Sequence, residues 1–397
     1  MLFQSLDDKK RCIGVYCDGK LSFEPKYKEL SKTWNYSPSF RGMPIEYAAL
    51  YCNGKNLDQV CPEFLRQDWL RISSKLRAFI TSFNEAKIDL DDNCFFDLVP
   101  QKFLLELCEI KNKITKHVFE NYPRPKNYDF FHELAQLVDD ISNNKLNIDI
   151  SVLKNKMAEF KVRQFTKKIN NTNACIKYNI FGTKTGRLTT KKNSFPILTL
   201  DKSYRSILKP NNDWFVELDF NAAELRTLLG LLGKEQPKGD LHEWNMKNVY
   251  KNTLTREEAK KRIFAWLYNS NSKDSLSNRT YDRKEILKKY WDGSKVKTPF
   301  HREIDSDEFH ALNYIIQSVT SDLILRQAIK VDKLLKDKKT NIAFMVHDSI
   351  VLDMAKEEED LINGIFKTFA NTELGIFNTS VTAGKNFGEL TKLWIHL

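Results

Sequence analysis

Arg256, Lys260, Phe264 and Tyr268 fall four residues apart in TREEAKKRIFAWLYN, a segment whose Glu, Ala, Lys and Arg content favours helix. On a helix rising about 1.5 Å per residue they make one stripe roughly 18 Å long, cationic at one end and aromatic at the other. Guanidinium and ammonium groups hold phosphates, one ring can lie against a sugar, and a second can sit beneath a base. The stripe therefore has the polarity of a nucleoside triphosphate. Taken by itself, the segment also reads as an ordinary amphipathic helix that buries Ile263, Phe264, Leu267 and Tyr268 and solvates its cations.

Two carboxylates offer a second kind of chemistry. WFVELDFNAAELRTLLGLLG reads as an apolar strand ending at Asp219, followed by a helix. NIAFMVHDSIVLDM reads as two apolar strands joined by a tight hairpin with His347 and Asp348 at its tip. Singly, each is an ordinary turn, and Asn221 with Glu224 has the spacing of a helix capping box. Aspartates on neighbouring strands can also share two divalent cations about 3.5–4 Å apart, the arrangement that clamps both oxygens of an in-line phosphoryl displacement. Mg²⁺ prefers such oxygen donors.

The elements that must position these groups follow from pattern. CIGVYC is strand-like, and residues 63 to 83 form an amphipathic helical segment. PRPKN at 123 to 127 breaks the chain, and two helices follow between Tyr128 and Lys168, separated near SNNKLN. The loop FGTKTGRLTTKKNSFP precedes strands in SILKPNNDWFVELDF, and helix resumes at Ala222. From Asp240 to about Lys336 the chain reads as mostly helical, interrupted by YNSNSKDSLSN and DGSKVKTPF. The C-terminal segment returns to strands.

Composition narrows the class. The chain has 397 residues, 41% hydrophobic and 12% aromatic, enough for two or three subdomains with a core. No apolar run is long enough to span a membrane, and the N-terminus lacks a secretory apolar region, so a cytoplasmic protein is expected. Seven cysteines without a C-x-x-C pair fit reduced thiols, with a poorly spaced zinc site at Cys12, Cys17, Cys52 and Cys61 as the alternative. Of the net charge of +11, residues 151 to 210 carry fourteen Lys and Arg against Glu159 and Asp201, leaving the remainder about neutral. A basic band this concentrated suggests a polyanion partner.

Taken together, from about Phe181 to Leu397, these motifs resemble the polymerase portion of family A DNA polymerases, the bacterial polymerase I type. TGRL resembles the loop bearing a primer-template-contacting arginine, here Arg187, with Lys184, Lys191 and Lys192 beside it. LDFNAAELR resembles motif A, which implies that Asp219 binds metal, that Phe220 lends a backbone carbonyl, and that Glu224 crowds out a ribose 2′-hydroxyl. Leu241-His242 resembles the triphosphate-contacting histidine, and the stripe resembles motif B. ALNYIIQSV resembles the helix whose Asn313 and Gln317 line the template and primer track. His347-Asp348 resembles motif C.

The resemblance implies an α+β right-hand architecture with an antiparallel palm sheet, helical fingers and a helical thumb. The expected division is an N-terminal region of unknown role (1–110), a thumb-like region (111–180), palm (181–235), fingers (236–310) and palm again (311–397). The implied reaction is template-directed extension of a primer 3′-hydroxyl with dNTPs by two Mg²⁺ ions, with Mn²⁺ as a substitute. Asp219, Asp348 and Lys260 carry the catalysis, and Arg256, Lys260, Phe264, Tyr268, His242 and Glu224 the nucleotide. The implied partners are primer-template DNA, dNTPs and a processivity or replication protein. The pattern departs at Ser349, where motif C continues with Glu, at Asn269, where motif B has Gly, and at Phe309, where Arg is common. CIGVYCDG offers only Asp18, so no 3′-5′ exonuclease is expected. Two rival readings stand beside this one: a single-subunit RNA polymerase, against which Glu224 argues, and a non-catalytic DNA-binding relic.

Overall fold

In Trp214–Phe220, Val216, Leu218 and Phe220 are buried while Glu217 and Asp219 are half-buried on the opposite face, the period-two alternation of a strand with one side on the core. This strand is the centre of a five-stranded antiparallel sheet. Ser349–Met354 pairs along one edge, with Asp219 opposite Ser349, and Thr379–Gly384 along the other, with Asp219 opposite Ser380. Asn341–Val346 and Thr391–Leu393 complete the sheet. Asn341–Val346 and Ser349–Met354 are almost entirely buried, as their continuous apolar sequences require. They leave His347 and Asp348 as a two-residue hairpin tip, with His347 at φ 53°.

The computed structural model describes residues 1–23, 29–90, 92–269 and 271–393. The chain forms two compact units, Met1–Gln136 and Leu137–Leu397. In the first, Phe3–Asp8, Arg11–Cys17 and Lys20–Ser22 form an antiparallel sheet. Helix Gln101–Asn121 buries Leu104, Ile110, Ile114 and Val118, and helix Glu63–Glu85 packs with it through Leu65, Trp69 and Ile72. The sequence boundary drawn at residue 110 falls within this Gln101–Asn121 helix. Asp18 sits exposed on a strand turn at φ 48°. The seven cysteines are free, and among the described residues no cluster of His, Cys, Asp or Glu is arranged as a zinc site.

In the second unit, the 27-residue helix Glu308–Leu334 buries an apolar face against Ala223–Leu231 and Ile362–Ala370. The stripe helix runs Arg256–Tyr268 and opens with a full capping box, Thr255 and Glu258 exchanging side-chain and backbone hydrogen bonds. Such a cap contributes about 1 kcal/mol. Sequence reading missed three pieces here. Asp274 caps a helix, Ser275–Tyr281, inside a stretch that looked like loop. A short hairpin pairs Lys295–Lys297 with Glu303–Asp305. Ile362–Ala370 is helical within the segment read as strands. Among the described residues no helix is long and apolar enough to cross a membrane.

Candidate active site

The face of the stripe helix that packs inward is Ala259, Ile263, Trp266 and Leu267, not the stripe itself. Phe264 is half-buried and Tyr268 is 47% exposed, so both aromatics stand outside the core. Their rings stack with centroids 5.9 Å apart and planes 9° from parallel. His242, on the short helix Leu241–Trp244, lies with its ring 5.7 Å from that of Phe264. His242 is buried with Nδ1 unpartnered, and burial followed by the nearby Lys260 and Arg256 charges outweighs Asp240 and lowers its pKa. Lys260 makes no ion pair among the described residues.

Arg256 is already engaged. Its Nη2 donates to Asp240 Oδ2 at 2.7 Å and its Nη1 to Glu257 Oε1 at 2.5 Å. Burial alone would raise the Asp240 pKa, but the Arg256 hydrogen bond, the Glu243 N–H and Asn221 together bring it down to about 2. Asn221 also accepts from the Leu241 N–H at 3.0 Å. The Asn221–Glu224 capping box expected from sequence is therefore absent. Ala222 occupies the cap in the left-handed region, φ 53°, and the Asn221 side chain instead ties the strand end to the His242 helix.

Glu224 joins the stripe to the TGRL loop. Arg187 Nη2 donates to its Oε1 at 2.7 Å, and the Tyr268 hydroxyl donates to its Oε2. Burial and this bond keep the Tyr268 hydroxyl protonated, its pKa raised. The loop is anchored from beneath. Gly186 has φ 77°, Ser321 donates to its carbonyl at 2.9 Å, and a Cβ there would meet the Arg302 guanidinium at 2.5 Å. Arg302 forks onto buried Asp322 of the long helix with N–O distances of 2.8–2.9 Å. A cleft of about 470 Å³ brings Arg187, Glu224, His347 and Asp348 together with Thr320 and Ser321 of that helix. Lys184, Lys191 and Lys192 are exposed around the loop. Asn313 and Gln317 lie on the long helix outside that lining; both are half-buried, and Asn313 Oδ1 is buried without a partner. Phe309, near the helix start, is 56% exposed.

The carboxylates meet at the hairpin end of the sheet. Burial first, then the charges of Asp348 and Glu217, push the Asp219 pKa to about 8, and no basic side chain offsets them. Phe220 has its ring stacked on Phe369 at 4.4 Å and set edge-on to Phe377, so only its backbone can serve the site. Ser349 donates to Glu217 Oε1 at 2.9 Å. An acid raised this far by burial and then by neighbouring carboxylates, with no basic side chain beside it, suits an oxygen-liganded divalent cation. Among the described residues no three acidic, Cys or His groups are close enough to share a single ion. Sequence reading missed Glu217, Asp240, Arg302 and Asp322. Glu217 had a signal, being the charged residue at i−2 from Asp219 in an apolar strand. The others are long-range pairings without one.

Asn269 ends the stripe helix. Its carbonyl accepts from Arg283 Nη2 at 3.1 Å, and Arg283 also donates to the Trp266 carbonyl. The helix end is thus held by a side chain.

No protein-family model and no curated protein matches this sequence. Among solved structures, the chain is similar to the POL domain of Pol1 from M. smegmatis in complex with DNA primer-template and dNTP, with a TM-score of 0.61 at 11% identity, over 86% of this chain and 82% of that one. At that identity the likeness speaks to architecture alone. This chain has a DNA polymerase fold.

Proposed function

We propose that the protein is a DNA-directed DNA polymerase of the family A type that extends a primer 3′-hydroxyl with dNTPs. The observation that carries this reading is the placement on one sheet end of Asp219 and Asp348, acids without a counter-cation among the described residues, with Asp348 lining the same cleft as Glu224, which Tyr268 joins to the aromatic end of the stripe. In this reading the antiparallel sheet is the palm, residues 236–310 are the fingers, and the basic band of residues 151–210 tracks duplex phosphates as a thumb would.

Asp219, Asp348 and the Phe220 carbonyl would hold two Mg²⁺ ions, and the chemistry these would supply is a lower barrier to deprotonating the primer 3′-hydroxyl and neutralisation of charge on the pyrophosphate. Lys260, unpaired among the described residues, binds triphosphate oxygens and donates a proton to the departing pyrophosphate. Arg256 reaches the phosphates by exchanging Asp240 for them, and His242 offers its unpartnered ring nitrogen to the same group. Phe264 lies against the sugar and Tyr268 beside the templating base. Glu224, braced by Arg187 and Tyr268, fills the space a ribose 2′-hydroxyl would need. Arg187, Lys184, Lys191, Lys192, Asn313, Gln317 and His347 face the primer-template.

The test is extension of a labelled primer on a defined template with each dNTP and rNTP in turn. Only the complementary dNTP is expected to add, and Glu224→Ala is expected to admit rNTPs. Equal use of rNTPs by the unmodified protein favours an RNA polymerase, and no addition with any nucleotide overturns the reading.

A further inference from the structure

We propose that Glu217 is a third acid of the carboxylate centre: oriented by the Ser349 hydroxyl, it sets a negative charge beside Asp219 that strengthens the hold on divalent cations without being a direct ligand. The inference rests on Asp219 and Asp348 being the metal-binding pair.

A glutamate inside a strand whose other side chains are mainly apolar needs a reason, because a half-buried charge without a partner is costly. Period two puts Glu217 on the same face as Asp219. Its neighbours in register are Val351 and Thr382. Hydroxyls from both flanking strands turn toward it: Ser349 Oγ donates to Oε1 at 2.9 Å, and Thr382 Oγ1 lies 3.5 Å from Oε2. Ser349 stands directly opposite Asp219 and directly after Asp348, so one hydroxyl connects the hairpin end to Glu217. Glu217 makes no ion pair among the described residues, and neither Asp219 nor Asp348 does. Of the three carboxylates only Glu217 has hydroxyl donors, and none of the three has a cation among the described residues.

The same geometry separates Glu217 from direct ligation. Among the described residues no three acids are close enough to share one ion, so Glu217 acts through its charge and through Ser349, as the residues around a metal's direct ligands do. Ser349 is also the position where the motif lacks an acid. The carboxylate that the hairpin strand does not carry stands on the strand beside it.

Mn²⁺ binding to the full chain without DNA, read by the electron paramagnetic resonance of free Mn²⁺, tests this directly. Glu217→Gln keeps the shape and the bond from Ser349 and removes only the charge. It is expected to weaken Mn²⁺ binding about 10-fold with no fall in melting temperature. Glu217→Ser with Ser349→Glu, which moves the carboxylate across the strand pair, is expected to bind Mn²⁺ more tightly than Glu217→Ser alone. Unchanged Mn²⁺ affinity in Glu217→Gln, or a lowered melting temperature with affinity intact, overturns the proposal. Asp219→Asn distinguishes the underlying reading: if that variant binds Mn²⁺ as the unmodified protein does, the metal pair itself is misassigned.

Discussion

Asp219 and Asp353 sit at opposite ends of the same strand pair, and burial raises the pKa of both, but the chain supplies donors to only one of the two carboxylates. Asp353, opposite Phe215, accepts the backbone N–H groups of Asn211 and Asn212 at 2.9 Å each and is 3% exposed. Asp219, opposite Ser349, is surrounded by Asp348 and Glu217 and has its pKa driven up to about 8. Asp322, fully buried on the long helix, follows the pattern of Asp353, with a forked guanidinium in place of amides. Buried acids that hold a fold together have donors supplied by the fold. The acid at the hairpin end has burial and the neighbouring charges of Asp348 and Glu217 instead, a state that a proton or a cation from outside relieves. The three acids thus differ in what the fold supplies to them.

Substitutions can break or sharpen that contrast. Asp322→Ala removes the buried carboxylate onto which the Arg302 guanidinium forks beneath Gly186, and is expected to destabilise the protein by about 3–5 kcal/mol in urea unfolding. A loss under about 1 kcal/mol would remove Asp322 from the structural class. Asp353→Ala strands two backbone N–H groups in a partly polar setting, and a smaller loss of about 1–3 kcal/mol is expected by the same method. The smallest effect concerns Asp240, whose pKa lies below its unfolded value. Its contribution, on the order of 2 kcal/mol, is present above about pH 4 and disappears as pH falls toward 2. The stability gap between the unmodified protein and Asp240→Asn should therefore close across that window. A gap constant from pH 5 to 2 would show that the Arg256 pairing is not the cause.

What could be read from the sequence was local. The helical form of the stripe, the Asp219 strand end and the hairpin at His347-Asp348 each depend on residues within a turn or two, and periodicity exposes them. Asn221 shows the limit. Its spacing to Glu224 fits a cap, but a through-space bond to Leu241 won, and Ala222 took the left-handed conformation. Arg256 with Asp240, Glu224 with Arg187 and Arg302 with Asp322 pair across 16, 37 and 20 positions, distances at which no spacing rule operates. The Lys295–Asp305 hairpin and the Ile362–Ala370 helix were hidden by short, mixed patterns.

The central claim is that Asp219 serves chemistry at the expense of the fold. The measurement that tests it most directly is template-directed primer extension by Asp219→Asn, on protein shown by gel shift to bind primer-template DNA. The account predicts loss of extension by about 10³-fold or more, since removing one metal-binding carboxylate forfeits several kcal/mol of barrier lowering. Extension at the rate of the unmodified protein would contradict it.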